Sequence, residues 1–303
     1  MKGIYRMNKK IKSGINIFLF LLPGLALFIG VLIAPISMSF RYSLHDMSLL
    51  DPLTKENFIG FKNYIKLFTS GSIPFPKALL NSLLLAVLSV FIQLPLSLGL
   101  ALLLGKGMKG ERGFLSVFFM PVLISTIIIG QLWLKIYNPD YGLLTRALWA
   151  LHILPEGKLI QWLGDEKIAL ASAFVPILWQ YVGYHMLLMY AGVKGVSVDL
   201  REAAMLDGAT DGQINRYIVI PSIKPIIKVS VIFAVTGSLK SYDLIKVLTD
   251  GGPFHATEVP TTVMINQLIL RNKAGMGSTI AVMLIVLCFF FAMVINRAFR
   301  RED

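Results

Sequence analysis

Cysteine is almost missing from this chain. Its one thiol, Cys288, excludes a disulfide framework and any metal site built from several cysteines. Charge is scarce as well: Asp, Glu, Lys and Arg make up 15% of the 303 residues, while 55% are apolar and the mean hydropathy is +0.70. Soluble domains carry about 25% charged residues, so a single water-soluble globule is excluded. The signatures of common catalysts are missing too. No G-x-x-x-x-G-K-S/T phosphate loop is present, so the chain does not hydrolyse ATP through that machinery. His45, His152, His185 and His255 are scattered without metal-ligand spacing, and neither H-E-x-x-H nor G-x-S-x-G occurs. No catalytic residue, no metal site and no enzymatic activity are expected of the chain itself.

What is abundant is long apolar sequence. A bilayer core of about 30 Å needs roughly 20 apolar residues per helix. Six stretches reach that length: Ile15 to Tyr42, Leu79 to Leu103, Phe114 to Tyr137, Ile168 to Tyr190, Val229 to Leu248, and Met276 to Asn296. The first follows a basic start (Lys2, Arg6, Lys9, Lys10, Lys12) but is too long for a signal peptide, whose apolar region runs to about 7–15 residues, and reads as a retained helix. The expectation is an all-α integral membrane protein with six transmembrane helices. Its domains are a basic amino-terminal stretch (1–14), a transmembrane domain (15–296) and a short tail (297–303).

Basic residues outnumber acidic ones by 29 to 17, a formal charge of +12. In a soluble protein this would point to nucleic acid; here its placement matters more. Segments 1–14, 104–113, 191–228 and 297–303 hold 16 Lys and Arg, and the longer set 43–78, 138–167 and 249–275 holds nine. The positive-inside rule puts the first set in the cytoplasm, with both termini inside, and no nucleic-acid partner is expected. Within the outer set, Phe58, Phe61, Tyr64, Ile65 and Phe68 form an amphipathic run suited either to an interfacial helix or to an aromatic belt. Lys240 and Asp243 stand three apart inside the fifth span, on one helix face where they can pair, as a functional site or as a structural ion pair.

The most informative segment is the inner loop 193–225, which carries helix-capping chemistry where a linker would be polar and glycine-rich. Asp199 can cap a first helix with Glu202 three residues on. Gly208 supplies a left-handed terminator, and Thr210 with Gln213 repeats the capping spacing for a second helix through Tyr217 and Ile218. Pro221 and Pro225 then redirect the chain. Such a helix pair suits docking into a groove of a cytoplasmic partner, or capping the bundle.

The run E-A-A-M-L-D-G from Glu202 to Gly208, nine further residues, and I-V-I-P from Ile218 to Pro221 resemble the EAA loop of binding-protein-dependent ABC importer permeases. The match holds at Glu202, Ala203, Ala204, Gly208, Ile218 and Pro221. F-I-G-F-K-N-Y-I-K-L-F from Phe58 resembles the family's segment after the first span. S-L-K-S-Y-D-L-I-K-V-L-T-D-G-G-P from Ser238 to Pro253, with Thr257, resembles a stretch of the carbohydrate-uptake branch, and within it the subunit type represented by the maltose importer's F protein and its glycerol-3-phosphate counterpart. The resemblance covers about residues 15–296. It departs at Ile220, where Leu is usual, and at Gly212 and Asn215, where aromatics are frequent, which shifts the expected apolar partner contact to Ile214 and Tyr217.

This resemblance implies the type I importer permease architecture in a bacterial cell membrane, as a multi-pass inner-membrane protein. The implied partners are a second homologous permease, two cytoplasmic ATP-binding-cassette ATPase subunits, an extracytoplasmic solute-binding protein, membrane lipid and a carbohydrate substrate. No cofactor is expected on this chain; ATP and Mg belong to the ATPases. The implied coupling residues are Glu202, Ala203, Ala204, Asp207, Gly208, Ile214 and Tyr217, with Glu202 contacting a basic ATPase residue. For the substrate path the residues indicate Gln131, Trp179, Gln180, Tyr184, Ser238, Ser241, Tyr242 and Asp243, a mixture of aromatic faces and hydrogen-bonding groups suited to a sugar. The competing readings are an ion-coupled secondary transporter, for which Asp243 is the one acid within a span, and a membrane scaffold that recruits a cytoplasmic protein through the inner loop.

Overall fold

A computed structural model describes residues 17–300. The basic stretch 1–14, the first two residues of the expected first span and residues 301–303 lie outside the described residues. Among the described residues the chain is helical, without a β-strand; one isolated bridge joins His45 and Phe58.

In chain order the helices are α1 (Ile17–Ser43), α2 (Lys62–Thr69), α3 (Phe75–Leu104), α4 (Glu111–Leu123), α5 (Thr126–Ile136) and α6 (Leu143–Ala150). They continue with α7 (Ala169–Gly195), α8 (Val198–Leu206), α9 (Asp211–Ser222), α10 (Lys224–Leu239), α11 (Asp243–Leu248), α12 (Pro260–Ile265) and α13 (Ala274–Arg300). Three of them, α1, α3 and α13, are long and apolar enough to cross a membrane. Two bent pairs qualify when each is taken as one span, which gives three to five by length and composition. Helix α7 has 27 residues, about 40 Å at 1.5 Å per residue, but Gln180, Tyr181, Tyr184 and His185 make it less apolar than the others.

The third expected span is not one helix. After Pro121, which has no amide to donate, the backbone becomes extended at Ile124 and Ser125, and α4 meets α5 at 97°. The fifth expected span is interrupted as well: α10 stops at Leu239, and α11 starts at Asp243. This corrects the expected Lys240–Asp243 pair, since a break between the two residues removes the helical face they were to share. No ion pair or hydrogen bond joins them.

Helix α3 contains a π-helical stretch, Ser89–Gln93, and its two halves pack differently. The first half contributes Ala78 and Ala86 to a core with Val235 and Leu239 of α10 and Ile280 and Leu284 of α13. The second half contributes Leu94, Ala101 and Leu104 to a core with Met186 and Met189 of α7. Polar bonds pin the α3–α7 contact: the Gln93 amide donates to the Leu178 carbonyl at 2.9 Å and the Ser97 hydroxyl to the Val182 carbonyl at 2.9 Å. Helix α4 lies close against α7 because residue 183 is glycine: a Cβ there would stand 1.9 Å from the Phe118 carbonyl oxygen.

The connecting segments gather at two ends. At one, Lys106 pairs with Asp211 at 2.8 Å, Lys194 pairs with Glu111 at 3.2 Å, and the Tyr190 hydroxyl donates to the Glu111 carboxylate. At the other, Lys77 pairs with Glu166 at 3.5 Å, Arg271 donates to the Ser72 carbonyl at 3.3 Å, and the Asn81 amide donates to the Ala256 and Glu258 carbonyls at 2.9 and 2.8 Å. Helix α2 turns Asn63 and Leu67 inward and leaves Phe61, Ile65 and Phe68 exposed, so the amphipathic run forms a helix with an uncovered apolar face.

Candidate functional site

The break between α10 and α11 opens one wall of a cavity of about 300 Å³. Ser238, Lys240, Ser241, Tyr242 and Asp243 line that wall, with Phe233 below them. From α7 come Gln180, Tyr181, Tyr184 and His185, and the spacing of four brings Gln180 and Tyr184 to the same face. The π-helical stretch of α3 turns Ser89 and Gln93 inward to complete the enclosure, and Thr126 reaches in from the first turn of α5.

Six of the eight expected path residues therefore share one cavity: Gln180, Tyr184, Ser238, Ser241, Tyr242 and Asp243. Two do not. Gln131 is exposed on α5, away from the cavity. Trp179 points into an aromatic ladder instead, with ring centroids 5.8 Å from Trp133, which lies 5.1 Å from Tyr137, itself stacked on Trp162 at 5.9 Å. The ladder is anchored where the Tyr137 hydroxyl donates to the Ser172 carbonyl at 2.8 Å and the Trp162 indole to Thr145 at 2.9 Å. Trp179 thus packs α7 against α5, and Tyr137 carries the ladder on to Trp162 in the 138–167 segment. Sequence reasoning missed Ser89, Gln93 and His185. A signal existed for the first two: Ser89, Gln93 and Ser97 recur every four residues inside an apolar run, which marks a polar stripe on one helix face.

The cavity is polar in an unusual way. Gln180 is 2% exposed and its Oε1 has no partner; His185 is 4% exposed and its Nδ1 has none. Ser238 donates to its own helix, to the Ala234 carbonyl at 2.7 Å, and stands 3.4 Å from the Ser89 hydroxyl.

At the end of the bundle where Lys194 and Glu111 pair, α8 and α9 form a helical hairpin. Ser197 occupies the N-cap position of α8, and Asp199 falls in the first turn, so the expected Asp199–Glu202 capping pair is replaced by an acidic first turn that complements the helix dipole. Gly208 ends α8 with φ of +82°, a conformation that a side chain rarely adopts. The second cap forms as the spacing predicts: the Thr210 amide donates to Gln213 Oε1 at 2.7 Å, and the Gln213 amide to the Thr210 hydroxyl at 3.4 Å. A break at Ile223 then turns the chain by 70° into α10.

Beneath the hairpin, Val193, Val196, Ile214, Val219 and Ile223 make a buried cluster, and the Arg201 guanidinium donates to the Val193 carbonyl. This corrects the expected role of Ile214: it is 4% exposed and faces inward, so it holds the hairpin down rather than meeting a partner. Glu202, Ala203, Asp207 and Gly208 are exposed, Ala204 is partly buried against the cluster, and Tyr217 is 68% exposed. Leu200, Met205 and Leu206 add an uncovered apolar surface beside Glu202.

The family described as "binding-protein-dependent transport system inner membrane component" matches residues 6–302. The chain is 34% identical over 285 residues to the probable ABC transporter permease protein YurN of Bacillus subtilis, covering 93% of this chain and 95% of that protein. It is 30% identical to the trehalose/maltose transport system permease protein MalF of Thermococcus litoralis, covering 94% of each. Among solved structures it is similar to a chain of a bacterial ABC transporter involved in the import of the acidic polysaccharide alginate, with a TM-score of 0.82 at 22% identity, covering 98% of this chain and 99% of that one.

Proposed function

The chain belongs to the family of binding-protein-dependent transport system inner membrane components, and from that premise we infer that it is the permease subunit of an ABC importer whose α8–α9 hairpin docks on a cytoplasmic ATPase. The observation that carries this reading is the build of the hairpin. A buried apolar cluster and the Arg201 bond clamp its inner side, while Glu202, Ala203, Asp207, Gly208 and Tyr217 stay uncovered on its outer side. An element held this firmly transmits force from a partner into α7 and α10, which run directly from its two ends. Ala203 admits a close approach and Glu202 offers a carboxylate to a basic group.

The polypeptide crosses the membrane six times with both termini in the cytoplasm. What supports this count is the sorting of connecting segments: 104–113 and 191–223 are tied together at one end, and 43–78, 138–167 and 249–273 at the other, as alternate crossings require. The lysine- and arginine-dense set then faces inward. A second permease completes the translocation path, two ATPase subunits bind and hydrolyse MgATP, and an extracytoplasmic solute-binding protein delivers the ligand. This chain holds no cofactor of its own. The ligand is a carbohydrate, passing the cavity between α3, α7 and the α10–α11 break. The relative named for trehalose and maltose supports that class, and so does the cavity's mixture of tyrosine faces and hydroxyl and amide groups.

Glu202→Ala tests the reading. The variant is expected to insert in the membrane in normal amount and to lose ATP-driven uptake by at least tenfold in cells that express the complete importer. Unaltered uptake overturns the hairpin assignment. Uptake abolished by a protonophore in the absence of any co-purifying ATPase favours an ion-coupled carrier instead.

A further inference from the structure

The cavity carries information about the charge of what it holds. Its buried hydrogen-bonding groups include no carboxylate, lysine or arginine: they are the Gln180 amide, the His185 imidazole, and the hydroxyls of Ser89 and Ser238. Two of these are unsatisfied, Gln180 Oε1 and His185 Nδ1, although both side chains are more than nine-tenths buried. Buried polar atoms are nearly always paired; six others among the described residues also lack a partner, but these two stand together on the α7 wall of the cavity, where a ligand group can supply one. The fixed charges on the wall are Lys240 and Asp243, which oppose one another in sign and are not bonded to each other. Their sum is zero.

We propose that this cavity selects an uncharged polyhydroxyl ligand, a sugar bearing neither carboxylate nor phosphate, and that Gln180 and His185 are the side chains that read it. The proposal rests on the importer reading given above. A carboxylate or phosphate is an acceptor, and an amide oxygen cannot donate to it. An anion leaving water for this site would also meet Asp243, with a single lysine to offset two negative charges. A sugar hydroxyl donates and accepts, so it satisfies Gln180 Oε1 and serves His185 Nδ1 in either tautomer. The apolar faces of the sugar rings have Tyr184 and Phe233 to lie against, whose ring centroids are 6.4 Å apart.

The test uses the complete importer, both permeases with the ATPases, in lipid nanodiscs, and measures equilibrium binding of matched radiolabelled pairs: trehalose against trehalose 6-phosphate, and maltose against digalacturonate. At least one neutral sugar is expected to bind saturably, with its charged counterpart weaker by tenfold or more. Gln180→Leu and His185→Leu should each weaken the neutral sugar about tenfold, and His185→Asn, which keeps a hydrogen-bonding terminus, should restore part of the loss, a rescue that a purely packing role would not give. Asp243→Asn should raise the affinity for the charged counterpart. Charged members that bind as tightly as their neutral partners, neutral sugars that all fail to bind, or leucine variants without effect overturn the proposal. The importer reading stands or falls separately, on whether ATPase subunits co-purify and hydrolyse ATP in response to the loaded solute-binding protein.

Discussion

Replacing Ile214 by alanine separates holding the hairpin from docking it. Ile214 is 4% exposed and packs with Val193, Val196, Val219 and Ile223. Truncating a buried Ile to Ala costs about 2–5 kcal/mol. Here the lower half of that range applies, about 2–3 kcal/mol, because Ala204, Ala209 and Ile218 at the rim are only partly buried and can close over part of the space. If the loss falls on local opening of the hairpin, tenfold per about 1.4 kcal/mol converts it into an increase of about 30- to 150-fold in the open population. Hydrogen exchange read by mass spectrometry on peptides from 198–222 measures that population, and peptides from the middle of α7 serve as the internal reference. Tyr217→Ala is the control. At 68% exposed it supports little of the fold, so exchange should stay within about twofold while ATPase co-purification falls. The reasoning is refuted if Ile214→Ala leaves exchange unchanged, which would mean that the Arg201 and Lys106 bonds hold the hairpin, or if Tyr217→Ala raises it equally, which would mean that Tyr217 holds it as well.

Gly208→Ala forces a side chain into φ of +82° and should destabilise the α8–α9 turn by about 1–2 kcal/mol, seen as faster exchange confined to 205–211. Gly183→Ala places a Cβ 1.9 Å from the Phe118 carbonyl oxygen, so α4 must move away from α7; the detergent-solubilised protein should lose several degrees in Tm, and an unchanged Tm would show that the contact is not tight. Trp179→Ala should lower Tm by removing a rung of the aromatic ladder while leaving sugar affinity within about twofold, and a tenfold loss of affinity would return Trp179 to the ligand path.

How much of this was legible in the sequence differs by element. The hairpin was, because caps are local: Gly208 at a helix end and Thr210 three residues before Gln213 specify their own geometry whatever surrounds them. Gln180 and Tyr184 were, because helical spacing alone decides that they share a face. The breaks after Leu123 and Leu239 were less so: Pro121 and the polar run Lys240-Ser241-Tyr242-Asp243 mark both places, but the stretches around them are long enough to span, and a proline or a short polar run inside a span can be carried by a continuous helix. The direction of Ile214 was not legible. An isoleucine on a short amphipathic helix serves equally well as an anchor or as a contact, and the choice was made by how the ends of α7 and α9 bring Val193 and Ile223 beneath it. Trp179 misled for a related reason: aromatic rings in a span suit a sugar, but they suit one another as well.

The π-helical stretch in α3 has one more consequence. An extra residue inserted into a helix of 3.6 residues per turn rotates everything beyond it by about 100°, so the two halves of α3 are out of phase. The half before Ser89 is keyed to α10 and α13, the half after Gln93 to α7, and a single continuous helical wheel drawn through residues 75–104 assigns one of them to the wrong neighbour. Deleting one residue between Ser89 and Gln93 would make a more regular helix and a worse protein, because Ser97 and Ala101 would swing off α7 together. The irregular turn lets one helix present two differently phased faces to two different packing partners.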